Sequence, residues 1–195
     1  MEMFEGFHLI SIFALIIIGA FISIISKPGS SLFSWHPFFM SISFFMLIPI
    51  STKILKYRTK ISFQTRRKVH WITQLISITL ILGGFWAIYE NKNRLKKLHF
   101  ATNHGLSGLI TVCAMFVQSF ILGVPANWKL GSLSMMKFKK WHVGFSIISL
   151  LSAMVCLVFS FGTKFLEGKI NYWIGCGAVV AVYGGLLVRS VQKVF

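Results

Sequence analysis

The sequence predicts an all-α membrane protein of six transmembrane helices, and three observations predict it. Of 195 residues, 55% are hydrophobic and only 12% are charged, too few charges to clothe a soluble domain of this size. The apolar residues gather into six runs of about 20 residues, the length a helix needs to cross a bilayer. Open strands are excluded in lipid, because backbone polar groups find no water there and must pair internally.

The first run, 7–26, follows Glu2 and Glu5 with no Lys or Arg ahead of it. That is the wrong charge for a secretory leader, so it is read as a helix. Lys27-Pro28-Gly29-Ser30-Ser31 separates it from the second run, 35–54. Pro37 suits the first turn of that helix, and Ser34 stands where a cap would. The basic stretch 55–68 leads to the third run, 69–89. Charged residues over 90–97 lead to the fourth, 103–123. The break before the fifth run, 141–162, lies within 125–140, and the tight turn 164–169 precedes the sixth, 170–190. No connection has room for a soluble domain, so residues 1–195 read as one transmembrane domain. Helices two to five are expected to form its four-helix core.

The net charge is +16, and the only acids are Glu2, Glu5, Glu90 and Glu167. Lys and Arg lie between the apolar runs rather than on one face, which argues against nucleic acid and for loops that meet lipid headgroups. One side would hold 55–68, the loop before the fifth run and both termini. It carries Lys53, Lys56, Arg58, Lys60, Arg66, Arg67, Lys68, Lys129, Lys137, Lys139, Lys140, Arg189 and Lys193, 13 cations against 7 on the other side. The positive-inside rule makes that side, and both termini, cytosolic. Cys113, Cys156 and Cys176 are odd in number and apolar in setting, so no disulfide framework is expected. Trp35, Trp71, Trp141 and Trp173 fall at span edges and read as an aromatic belt.

Four histidines stand at the starts of successive runs: His36, His70, His104 and His142. Successive spans reverse direction. His36 therefore shares the outer side with His104, and His70 shares the inner side with His142. Ionisable groups in a membrane span are costly and point to function. Two imidazoles from facing helices can take both axial positions of a haem iron, and neutral imidazole is a good iron ligand. Two such pairs would make a wire across a helix roughly 30 Å long. Small or weakly polar residues follow each ligand at helical spacing: Thr73, Gln74 and Ser77; Ser146 and Ser149; Ser107, Gly108 and Thr111. Gly105 and Gly144, beside their histidines, are expected to allow close backbone approach. A single histidine at a membrane boundary is usually interfacial, and His8, which lies in no pair, is read that way. Four that pair by side are harder to explain so. His99, five residues before His104, is a loop residue that could contact substrate.

The stretches Ser34-Trp35-His36-Pro37-Phe38-Phe39-Met40, Lys68-Val69-His70-Trp71, Asn103-His104-Gly105 and Trp141-His142-Val143-Gly144 resemble the cytochrome b561 family, above all its short branch without an extra soluble domain. The resemblance covers nearly the whole chain. It implies a six-helix protein with two haem b groups, His70 and His142 holding the cytosolic-side haem and His36 and His104 the other. It implies an ascorbate-dependent oxidoreductase that carries electrons from cytosolic ascorbate to monodehydroascorbate or ferric iron on the far side. Basic residues just before the third-span ligand grip ascorbate in this family. Arg66, Arg67 and Lys68 stand there, and Lys140 stands two residues before His142. Each taken singly reads equally well as a stop-transfer charge. The family's outer Ser-Leu-His-Ser pattern reads here as Ala101-Thr102-Asn103-His104-Gly105, which leaves His99 as the residue that could serve an outer acceptor.

Two other readings use the same residues. A quinol-linked haem b subunit of a larger complex would carry haem but be reduced poorly by ascorbate alone. A non-enzymatic membrane protein with zinc-binding or idle histidines would be colourless. An endomembrane location is favoured, and a homodimer is compatible with the family.

Overall fold

A computed structural model describes residues 2–56, 61–124 and 132–194, with side chains over 9–55, 61–124 and 138–192. Arg58, Lys60 and Lys129, and the side chain of His8, lie outside these. The described residues form six helical rods and no strand. Helix α1 is Glu2–Ile25. Helix α2 runs Trp35–Met40, continues through a π-helical stretch, Ser41–Leu47, and ends with Ile48–Lys56. Helix α3 is Phe63–Arg94. Helix α4 is Asn103–Phe116, extended by a second π-helical stretch, Val117–Gly123. Helices α5 and α6 are Ser132–Phe161 and Tyr172–Val194. Five rods are long and apolar enough to cross a membrane, and the apolar part of α1, Leu9–Ile25, is shorter. Helix α2 packs on α3, α4 on α5, and α3 touches α4, while α1 and α6 pack on each other and flank α2 and α5.

Hydropathy marks where lipid ends, not where helices end. Helix α3 begins at Phe63 and runs to Arg94, well past the expected 69–89, so much of the basic stretch and of 90–97 is helical. Lys, Arg, Gln and Glu are good helix formers, and Ser62 caps the start by accepting from Thr65 N at 3.2 Å. Ser34, expected as the cap of α2, has helical dihedrals and no side-chain bond to the helix start. The cap lies a turn earlier: Ser31 Oγ accepts from Ser34 N at 3.2 Å, and Ser34 Oγ donates to Ser31 O at 2.6 Å. Pro37 does fall in the first turn and is buried.

The first π stretch has a cause in the sequence. Proline inside a helix lacks its N–H and collides with the carbonyl four residues back. Pro49 stands two residues after Leu47, and widening the turn to i→i+5 relieves the clash. Ile48 N then donates to Ser43 O. In the same register Phe44 O would be served by the N–H that Pro49 lacks. Tyr183 of α6, fully buried, supplies the donor instead, with its hydroxyl 2.7 Å from Phe44 O. Replacing Tyr183 by Phe strands that carbonyl. We expect a lower melting temperature in detergent, equivalent to about 1–2 kcal/mol.

Between helices, lipid offers no apolar driving force, so close packing and polar contacts hold the rods. Leu15, Ile78, Ile81, Val182 and Leu186 are almost wholly buried. A Cβ on Gly19 would lie 2.6 Å from Phe45 Cβ, and one on Gly84 would meet Met40, Phe39 and His36 O at 3.2–3.5 Å. These glycines let α1 and α3 approach α2. Gly144, expected to do this, faces open space, and Gly105 meets only Thr102 and Phe100 at its own helix start.

Candidate functional site

Two separate cavities lie along the rods. The first, about 390 Å³, is lined by His36 and His104 with Phe44, Phe85, Val112 and Ala153. The second, about 320 Å³, is lined by His70 and His142 with Gln74, Gln118, Ser146 and Ser149. Both volumes are in the range of small-molecule and cofactor sites. Gly108 and Thr111 line the first cavity as well. Thr73, Ser77 and Ser107 line neither, and Ser77 Oγ instead donates to Thr73 O at 2.9 Å. The His36 and His104 ring centroids are 6.3 Å apart, with planes inclined by 71°.

Each ring is held by the helix it pairs with. His36 Nδ1 lies 3.0 Å from Gly84 O on α3, His70 Nδ1 3.1 Å from Ser51 O on α2, and His104 Nδ1 3.3 Å from Cys156 O on α5. A carbonyl only accepts, so Nδ1 carries the proton in these three and Nε2 keeps its lone pair. The His142 ring is hydrogen-bonded to the main chain of Gln118 on α4. It also faces the side-chain amide of Gln118, whose nitrogen is 3.2 Å from Nδ1 and 3.3 Å from Nε2. The two hairpins repeat one plan. Gly84 follows His70 by the same 14 residues by which Cys156 follows His142. Secondary partners stiffen it: Gln74 Nε2 donates to Ser51 Oγ at 2.8 Å.

Arg67, Trp71 and Lys139 line the second cavity. Of the cations expected there, only Arg67 lines it. Arg66 Nη1 donates to Leu55 O at 3.4 Å, and Lys68 and Lys140 are exposed away from the lining. Lys139 is the added cation. Helical periodicity could have found it: residues three before a histidine share its face, while residues two before point away. Arg67 and Lys139 each stand three before their histidine. Trp71, expected only as an anchor, lines the cavity, and its buried indole N–H has no partner among the described residues. Trp141 and Trp173 are exposed.

The loop after α3 contributes to the first cavity. His99 lines it together with Tyr89, Lys92, Phe100 and Lys164. The His99 ring stacks on Tyr89 with centroids 4.2 Å apart, and its Nε2 lies 2.8 Å from Asn93 Oδ1. Lys96 and Phe100 have positive φ of 51° and 55°, which turns the loop back over the cavity. Thr102 Oγ1 accepts from Gly105 N at 3.0 Å and starts α4.

The chain is similar to known transmembrane reductases. The transmembrane reductase CYB561D2 of Homo sapiens is 30% identical over 152 residues, covering 72% of this chain and 68% of the relative. The same reductase of Bos taurus is 31% identical over equal shares. The probable transmembrane reductase CYB561D1 of Homo sapiens is 25% identical over 175 residues, 86% of this chain and 76% of the relative. The family model for eukaryotic cytochrome b561 matches residues 35–167, from the first residue of the rod that carries His36 to beyond the end of α5. All four cavity histidines fall inside that match, and the chain belongs to the eukaryotic cytochrome b561 family, which implies a haem b cofactor.

Proposed function

We propose that the chain is a transmembrane reductase with two haem b groups, carrying single electrons from cytosolic ascorbate to monodehydroascorbate or a ferric chelate on the opposite side. The observation that carries this reading is the pair of cavities, each lined by two histidines from different hairpins. The ring separation of the outer pair fits iron. An imidazole nitrogen sits about 2.0–2.1 Å from a first-row metal with its ring centroid about 1 Å behind, so two rings on one iron have centroids about 6 Å apart. His36 and His104 stand at 6.3 Å. Holding Nδ1–H on a main-chain carbonyl leaves Nε2 as the ligand and raises its basicity. His36 and His104 would hold the outer haem, and His70 and His142 the inner one. When bound, haem iron supplies the one-electron chemistry.

The protein's own residues bind, orient and exclude water. Ascorbate is a monoanion at neutral pH. Arg67, Lys139 and Trp71, with its buried N–H, line the inner cavity and supply donors suited to an anion. Arg66, Lys68 and Lys140 add positive potential nearby. On the outer side, His99, Lys92 and Lys164 offer the same chemistry to an anionic acceptor. Phe44, Phe45, Phe85 and Phe165 give the outer cavity aromatic walls. The excess of cations on the inner side supports cytosolic termini.

Visible absorption of the purified protein, taken before and after ascorbate, tests the reading. We expect the absorption of low-spin haem, with most of it reduced by ascorbate alone. A colourless protein would refute haem binding, and a coloured protein that ascorbate leaves oxidised would favour a quinol-linked subunit.

A further inference from the structure

The cavity of His36 and His104 is lined by two lysines, Lys92 and Lys164, and among the described residues by no acid. Its other walls are mostly apolar, where a cation is costly without an anion beside it. Lys164 is exposed, whereas Lys92 is half-buried.

Lys92 is placed by its helix. Phe85, Ile88, Tyr89 and Lys92 of α3 all line the cavity. Their spacing, i, i+3, i+4 and i+7, is one face of a helix, and Lys92 is its last member. A lysine at a helix C-terminus is usually a solvated charge that the helix dipole favours. That account serves Arg94, Lys96 and Lys97, which are exposed. It does not account for a lysine that lines an apolar cavity. Glu90, the acid closest in sequence, accepts from Arg94 Nε at 2.9 Å and from Asn93 Nδ2 at 3.4 Å. Lys92 Nζ instead donates to Leu98 O at 3.1 Å, which uses one of its three N–H groups and leaves two. The Lys92 charge acts on both the His36 and the His104 ring. A cation that acts on both rings acts also on whatever lies between them.

Haem b carries two propionate carboxylates, and a carboxylate in an apolar cavity needs a cation or several donors. We propose that Lys92 is the partner of a propionate of the outer haem. Its two remaining N–H groups hold the carboxylate, and Leu98 O holds the ammonium in place. Of the three outer donors, Lys92 thus serves the cofactor, and Lys164 and His99 remain for an acceptor. The same contact ties the haem to the loop that carries His99, since Leu98 immediately precedes it. A fixed cation beside the site also favours ferrous over the more positive ferric haem. This rests on His36 and His104 being the axial ligands of a haem.

The test uses full-length His142→Ala protein, in which the outer haem stands alone, and adds Lys92→Gln, Lys92→Arg or Lys164→Gln. Resonance Raman scattering reads the propionate bending modes, and redox titration reads the midpoint potential. Lys92→Gln should move a propionate band and lower the one-electron equilibrium constant for reduction about tenfold, which is ~59 mV. Lys92→Arg should move the band, because a guanidinium grips a carboxylate with two N–H groups, and should keep the potential, because the charge remains. Lys164→Gln should change neither. If Lys92→Gln does not accumulate, the band in Lys92→Arg decides. An unmoved band in the Lys92 variants that fold would overturn the proposal, even with a fall in potential, since a field alone would explain that fall. A His142→Ala parent that keeps two haems, or none, would instead overturn the haem assignment beneath it.

Discussion

Replacing His104 by Ala is expected to cut the haem content of the purified protein from two per chain to one, with the remaining haem still low-spin. The His104 ring faces His36 across 6.3 Å, and among the described residues the one other histidine that lines that cavity is His99. His99 is engaged with Tyr89 and Asn93, so it is not placed to replace the lost ligand. His36→Ala should give the same product. His70→Ala and His142→Ala should remove the other haem. Combining His36→Ala with His104→Ala should cost no more haem than either alone, because both serve one iron. Combining His104→Ala with His142→Ala should leave none. That pattern of non-additivity within a cavity and additivity between cavities is what pyridine haemochrome assay of the six proteins would read. Haem lost in equal parts from both sites by any single change would contradict the assignment.

The second large effect is expected at the inner cavity. Arg67 and Lys139 line that cavity from α3 and α5, each one turn before its histidine. A hydrogen bond to a charged group is worth about 1.5–3 kcal/mol, and every 1.4 kcal/mol is about tenfold in affinity. Arg67→Ala with Lys139→Ala should therefore raise the ascorbate concentration for half-maximal haem reduction by about 10- to 100-fold. Haem content and spectra should be unchanged. The exposed pair Lys68→Ala with Lys140→Ala should shift it far less, and mostly at low salt, since screened charges act only as a field. Stopped-flow reduction over a range of ascorbate concentrations separates the two doubles. Equal effects from both would mean that the whole basic face, and not the cavity lining, attracts the donor.

The rods were legible because lipid punishes charge, and the grouping of the histidines because consecutive spans reverse direction. His36 and His104 thus line one cavity, and His70 and His142 the other. The acceptors of the Nδ1 protons were not legible. Gly84 O, Ser51 O and Cys156 O are main-chain atoms that every residue carries, so only the hairpin geometry selects them. Arg67 was among the expected cations, but Lys139 was passed over for Lys140 on nearness in sequence, where helical phase decides which cation faces the cavity. The length of α3 escaped because Phe63 to Lys68 and Glu90 to Arg94 are polar yet good helix formers. The π stretches leave a trace, Pro49 and Pro125, but a proline marks strain without saying which way the helix relieves it.

The central claim is that two haem sites act in series across the membrane. It is tested most directly in sealed vesicles that carry the protein, with ascorbate outside and a ferric chelate trapped within. The wild type should reduce the trapped chelate. His104→Ala, still reduced by ascorbate at its inner haem, should reduce it at least ~100-fold more slowly, since each further 1.4 kcal/mol on a barrier is tenfold in rate. Trapped chelate reduced by His104→Ala at the wild-type rate would contradict the account.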